Sequence, residues 1–152
     1  MTGGTERADK INRQLAEIAK NQHLAMAVGS QSIALKFPEL AAGFSEVRKI
    51  HSSGFLFANI GAGHSLENAR RAVDMIEANA LEIHVNTAQE LPMDEGDREF
   101  YWLENINEIA SQLEVPVIVK EVGFGISQKT FKALAKLSLI HISEPTRPRL
   151  IS

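Results

Sequence analysis

The chain has 152 residues, with 16 basic against 19 acidic side chains, a formal charge of −3, 44% hydrophobic and 23% charged residues, which is the composition of one ordinary globular domain. The negative balance, with Lys and Arg dispersed, excludes the summed positive field that gathers nucleic-acid phosphates. The sequence has no cysteine, which removes disulfides, thiolate metal sites and thiol nucleophiles together. No apolar run approaches the roughly 20 residues of a membrane-spanning helix, and MTGGTERADK lacks the apolar core of a secretory signal, so a soluble, cytoplasmic protein is expected.

From Thr5 to Asn21, Ile11, Leu15, Ile18 and Ala19 recur at helical spacing and predict an amphipathic helix. His23–Val28 is a short apolar run closed by Gly29 and Ser30, the pattern of a strand buried on both faces. Three similar runs follow at Phe55–Ile60, Ala80–Asn86 and Val115–Lys120, with a possible fifth at Leu139–Ile142. Helices are predicted near Pro38–Ile50, over Ser65–Ala78 and Glu99–Leu113, and from Ser127, an N-cap residue, through Leu137. Strict alternation of strand and helix predicts a parallel sheet covered by helices. Strand ends near positions 30, 60, 86 and 120 recur at the interval of eight βα units in ~250 residues. The expected fold is therefore α/β, a fragment of a (β/α)8 TIM barrel of about four to five parallel βα units. The competing architecture, a doubly wound open sheet, lacks its Gly-rich dinucleotide turn after the first strand. Residues 1–137 are expected to form a partial barrel domain. After Leu137 the stretch SLIHISEPTRPRLIS offers no cap or helix pattern and resembles translated sequencing-adapter sequence, so 138–152 is expected to be a non-native tail.

In such barrels function collects at the C-terminal ends of the strands. Side chains alternate across a strand, which puts Glu82, His84 and Asn86 on one face and Leu81, Ile83 and Val85 on the other. Burying an unpaired polar group costs on the order of 1–3 kcal/mol, so this stripe implies either a structural network or a site that a ligand completes. With Asn86, Gln89 and Glu90 just beyond, the site is the better reading. Lys120 closes the fourth run, where its donors suit a phosphate or an electron-rich ring edge; the bland alternative is a lysine that snorkels or pairs with Glu121. Ser30 and Asn59, taken singly, are ordinary strand-end chemistry. Glu90 suits Mg²⁺, whereas Asp94, Glu95 and Asp97 suit a solvated acidic loop. Gly3, Gly4, Gly123 and Gly125 permit close backbone approach to a flat cofactor or a phosphate.

MTGG (Met1–Gly4), AMAVGSQ (Ala25–Gln31), ANIGA (Ala58–Ala62), IHVNTAQE (Ile83–Glu90), EGDREF (Glu95–Phe100) and PVIVKEVGFGIS (Pro116–Ser127) together resemble the type 2 isopentenyl-diphosphate isomerases, flavin-dependent βα barrels. IHxNxxQE and KEVGFGxS in that order are the specific part, and the likeness runs to about Leu137. The resemblance implies interconversion of isopentenyl and dimethylallyl diphosphate with FMN held reduced by NADPH and with Mg²⁺ bound. It further implies that Met1, Thr2, Ser30, Asn59 and Lys120 contact FMN and that Glu90 holds the metal. Gln89, His84 and Asn86 are implied as the catalytic set, Gln89 against the substrate and the other two lining the diphosphate and allyl pocket. It leaves Gln31 and Ser32 without a role. A homo-oligomer is expected, with no nucleic-acid or membrane partner. The family's basic N-terminal arm and later phosphate-binding strands have no counterpart here, so the 152-residue chain alone is expected neither to retain FMN tightly nor to turn over. The alternatives are a related flavin barrel of the 2-hydroxy-acid oxidase kind, and a non-catalytic phosphate-binding half-barrel.

Overall fold

The computed structural model describes residues 4–85, 102–121, 123, 125–137 and, as backbone, 141–143. Helix α1 spans Glu6–Asn21, with Thr5 as its N-cap accepting from the Ala8 amide. Strand β1 is Met26–Ala27. A short α2, Ser32–Lys36, and a single 3-10 turn at Pro38–Leu40 lead into α3, Ala41–Ile50. There follow β2 (Leu56–Gly61), α4 (Leu66–Met75, capped by Ser65), β3 (Ala80–Val85), α5 (Trp102–Gln112), β4 (Val117–Glu121), α6 (Gln128–Leu134, capped by Ser127) and β5 (His141–Ser143).

The five strands form one sheet in the order β1-β2-β3-β4-β5, and every neighbouring pair is parallel. Parallel crossovers are right-handed, so a sheet wound in one direction carries all its connecting helices on one face. This removes the doubly wound competitor, whose helices cover both faces because the strand order reverses partway. The described residues curl into a half-barrel.

Burial alternates along the strands with period two, as the pleat requires. Leu56, Ala58 and Ile60 of β2, Leu81 and Ile83 of β3, and Val117 and Val119 of β4 are buried. They meet Phe44 and Val47 of α3, Ala69 and Ala72 of α4, Ile106 and Ile109 of α5 and Leu134 of α6 in one continuous core. The opposite face, with Phe57, Asn59, Gly61, Glu82, His84, Ile118 and Lys120, is half-buried. The sequence predicted strands buried on both faces; the structure buries one, the face that the described helices cover.

One boundary and one element differ from expectation for local reasons. The first strand shrinks because the end of α1 uses the residues before it: the amides of Gln22, His23 and Leu24 turn back to the carbonyls of Ile18, Lys20 and Ala19, and His23 takes a positive φ of 54°. Pairing with β2 begins only at the Met26 amide, which donates to the Phe55 carbonyl. Helix α2 was not legible, because a five-residue helix is too short to show a period.

At the other end of the strands the Arg48 guanidinium ties the chain together below the sheet. It donates to the carbonyls of His51, Ser52, Gly54, Ile76 and Glu77 and to Asn79 Oδ1, at 2.7–3.3 Å. Asn79 Oδ1 in turn accepts from the Leu56 amide. One planar fork thus joins the end of α3, the start of β2 and the end of α4. Replacing Arg48 by Ala is expected to lower stability by about 2–4 kcal/mol, since several half-buried carbonyls lose their donor at once. Arg48→Lys, a point charge, should recover less than half of that; urea unfolding of both variants measures it, and an Arg48→Ala protein as stable as the parent would show that solvent replaces the fork.

Candidate functional site

The in-register pairing of three strands sets out the polar face. Asn59 lies opposite Glu82, which lies opposite Ile118; Gly61 lies opposite His84, which lies opposite Lys120. Four polar side chains therefore share one face near the C-terminal ends of β2, β3 and β4.

They form one network. Asn59 Nδ2 donates to the Val28 carbonyl and to Glu82 Oε1, each at 3.2 Å, and Asn59 Oδ1 lies 2.9 Å from His84 Nδ1. Because the amide nitrogen faces two acceptors, its oxygen must be the atom facing His84, and an oxygen only accepts. His84 consequently carries its proton on Nδ1, and the neutral ring leaves Nε2 as a bare acceptor. Lys120 Nζ lies 3.9 Å from Glu82 Oε1 and donates to the Glu121 carbonyl at 3.2 Å. Gly61 keeps the space beside the ring open: a Cβ there would lie 3.3 Å from His84 Nε2.

Burial sets the charge states. It pushes the His84 imidazole below its ordinary value, with the Lys120 charge and then His64 adding to the effect. It pushes the Glu82 carboxyl up, and the Lys120 ammonium opposes this only in part. An ion pair at 3.9 Å is thus too loose to offset the desolvation of its carboxylate.

Lys120 thus meets Glu82 on the neighbouring strand and the main-chain carbonyl of Glu121. The Glu121 side chain is 4% exposed and accepts from the amides of Gly123 at 2.6 Å and Gly125 at 2.7 Å. Those glycines have φ of 111° and 89°, a conformation that L side chains rarely adopt. Their amides are thus directed to a carboxylate of the chain itself, where the sequence reading had left them for a phosphate or ring.

Ser30 stands apart from this network. Its hydroxyl lies 3.0 Å from Ser32 Oγ, which lies 2.7 Å from His64 Nε2. Gln31 is fully buried: its Oε1 accepts from the Asn59 amide at 2.9 Å and its Nε2 donates to the Ala72 carbonyl at 2.8 Å. That clamp between β2 and α4 gives Gln31 a structural role. Of the expected site residues, the structure brings Asn59, His84 and Lys120 together, with Glu82 added, and places Ser30 in a neighbouring chain of hydrogen bonds. Met1, Thr2, Asn86, Gln89 and Glu90 lie outside the described residues, as do Asp94, Glu95 and Asp97. Among the described residues no three His, Asp or Glu side chains are grouped to hold a metal ion, and no helix is long and apolar enough to cross a membrane. His64 was not legible in the sequence, because it belongs to no apolar run.

No protein-family model matches the sequence. Over 143 residues, 94% of the chain, it is 94% identical to the isopentenyl-diphosphate delta-isomerase of Lactococcus lactis subsp. lactis, of which the match covers 41%. The chain is homologous to isopentenyl-diphosphate delta-isomerases. Proteins of the same name from Latilactobacillus sakei subsp. sakei and Limosilactobacillus reuteri are 56% and 52% identical over 142 and 145 residues, again 41% and 42% of their length. The chain thus spans about two fifths of the length of the curated relatives it matches. Among solved structures it resembles dihydrodipicolinate synthase from Oceanobacillus iheyensis, with a TM-score of 0.52 at 19% identity over 90% of this chain and 45% of that one, a likeness of fold alone.

The network makes a spectroscopic prediction. In a ¹⁵N-resolved NMR titration His84 should be neutral at pH 7 with its proton on Nδ1, and should charge only below the ordinary histidine value of about 6.5. Since the unfolded chain then binds more protons than the native one, this group contributes a loss of stability on acidification, starting near pH 6.5. Lys120→Met removes a cation beside both groups, so the pKa values of His84 and of Glu82 should both rise; a fall in either would break the electrostatic account.

Proposed function

We propose that the protein acts as a type 2 isopentenyl-diphosphate isomerase, interconverting isopentenyl and dimethylallyl diphosphate with reduced FMN, NADPH as the source of reduction, and Mg²⁺. The observation that carries this reading is the shared polar face of Asn59, Glu82, His84 and Lys120, in a chain whose relatives are named isopentenyl-diphosphate delta-isomerase.

The described residues fit a flavin's polar edge. Lys120 offers a cation held from two sides, Asn59 and His84 are ordered beside it, and Gly61 leaves open the place a Cβ would fill. Bound reduced FMN would supply a nitrogen acid and base, the chemistry no ordinary side chain offers to an unactivated alkene. Lys120 would sit against the pyrimidine edge and stabilise negative charge there. His84 is neutral with its one proton committed to Asn59, so it accepts a hydrogen bond through Nε2 and is not the proton donor at neutral pH. Its part is to orient a ligand N–H or O–H in a site that must hold the reacting groups within about 3–3.5 Å. Glu82 holds Asn59 and Lys120 in relation to each other. Gln89, against the substrate, and Glu90, for the metal, belong to the proposal on the strength of the sequence pattern alone. Closure into a complete (β/α)8 barrel and assembly into a homo-oligomer are likewise part of the proposal.

The test uses a full-length enzyme carrying this segment. Isopentenyl diphosphate should be converted to dimethylallyl diphosphate only with FMN, a reductant and Mg²⁺, and Lys120→Ala should cost on the order of 100-fold in turnover, the scale of losing one preorganised electrostatic contact. Gly61→Val should weaken FMN binding while leaving the fold intact. Turnover of a 2-hydroxy acid and none of isopentenyl diphosphate, or full activity without flavin, would overturn the assignment.

A further inference from the structure

The loops after β1 and β2 carry a second polar chain, of whose residues only Ser30 figures in the family resemblance. It runs from Arg71 through Asn68, His64 and Ser32 to Ser30, and its direction can be worked out atom by atom. Arg71 can only donate; its Nη1 lies 3.2 Å from Asn68 Oδ1, and its Nη2 is anchored 3.2 Å from the Leu35 carbonyl. This fixes the Asn68 amide with its oxygen toward Arg71 and its Nδ2 toward His64 Nδ1, 3.3 Å away. An amide nitrogen cannot accept, so His64 Nδ1 is the bare ring nitrogen and Nε2 carries the proton. Burial pushes His64 below its ordinary value, which keeps the ring neutral. Nε2–H then donates to Ser32 Oγ at 2.7 Å. The Ser32 hydroxyl proton is left to donate to Ser30 Oγ at 3.0 Å, which also receives the Ser32 amide at a long 3.5 Å. With its lone pairs so engaged, the partly exposed Ser30 has its own O–H unspent among the described residues.

We propose that Asn68, His64 and Ser32 are positioning residues of a one-way hydrogen-bond relay that fixes Ser30 as a donor, so that Ser30 accepts as its ligand an acceptor oxygen, phosphoryl or carbonyl, and rejects an O–H or N–H. The relay stands on the geometry of the chain; only the recipient's identity rests on the function proposed above, under which a flavin carbonyl or phosphate and an isoprenoid diphosphate all present such oxygens.

Long-range ¹H–¹⁵N spectra of the 152-residue chain decide the first step: His64 is expected as the Nε2–H form, and a dominant Nδ1–H form would overturn the relay. The near-isosteric Asn68→Asp keeps the contact with Arg71 but cannot donate to the ring. At about pH 9, where the imidazole is neutral, it should move the proton to Nδ1, turn Ser32 and Ser30 round, and leave Ser30 presenting a lone pair. In a full-length enzyme carrying this segment, that inversion should weaken binding of an acceptor ligand about tenfold, the worth of one hydrogen bond lost to a polar group. FMN and inorganic diphosphate serve as separate probes, and the one that weakens identifies the recipient; unchanged affinity for both would overturn the donor role. Binding of diphosphate without FMN would count against the flavoenzyme reading while the His64 spectrum still decided the relay. Should Asn68→Asp fail to fold, the parent spectrum alone decides, with Ser32→Ala expected to leave the His64 proton on Nε2 because Asn68 sets it.

Discussion

Parallel pairing in register is the constraint on which the rest depends. Once Asn59, Glu82 and Ile118, then Gly61, His84 and Lys120, stand opposite one another, period-two alternation sends Leu81, Ile83, Val117 and Val119 to the helices without further specification. A slip of one residue in β3 would bury Glu82 and His84 beneath α4 and α5 and turn Leu81 and Ile83 to the open face. At about 1–3 kcal/mol for each unpaired polar group, and a similar loss for each large apolar side chain returned to water, that slip is prohibitive. The same alternation that builds the core therefore gathers the polar groups, and the site follows from the register.

The polar face is affordable because its groups satisfy one another. Asn59 spends its side-chain amide on three partners, one of them the Val28 carbonyl beyond the end of β1, while Gln31 takes up the Asn59 main-chain amide from behind. Gln31 is thereby as necessary to the site as any residue on its surface: it is fully buried, and it ties the strand bearing Asn59 to α4 through the Ala72 carbonyl. Glu121 acts similarly one strand further on, holding the turn after β4 through two glycine amides while its carbonyl receives Lys120.

Strand-helix alternation, the N-cap Ser127 and the polar stripe of β3 were legible because each is a local pattern with its own physical cause. The sharing of one face by Asn59, His84 and Lys120 was inferable from the strand-end rule, since all three lie at the ends of apolar runs. What the sequence could not give was partnership. Nothing local distinguishes Lys120 meeting Glu82 on the adjacent strand from Lys120 meeting its neighbour Glu121, because the first pairing depends on the register of β3 against β4. Likewise Gly123 and Gly125 looked like open backbone, and only the fold supplies the carboxylate they face. His64 was hidden for a third reason: it belongs to no apolar run, and its meaning comes from Ser32, 32 residues earlier.

The two half-buried imidazoles at this end of the sheet are matched opposites. His84 is read by an asparagine oxygen and so keeps its proton on Nδ1, leaving Nε2 as an acceptor; His64 is read by an asparagine nitrogen and so keeps its proton on Nε2, which passes a donor to Ser32. Both rings are held neutral by burial, so neither adds charge, and each adds direction. The rim thereby offers an acceptor at His84 and a donor at Ser30, with a cation at Lys120. Swapping the oxygen and nitrogen of either asparagine would reverse one of these without altering shape or net charge. Discrimination here thus comes from the polarity of hydrogen bonds, which an oxygen-rich ligand bearing one N–H or O–H can satisfy throughout and a ligand of reversed polarity cannot satisfy at any of them.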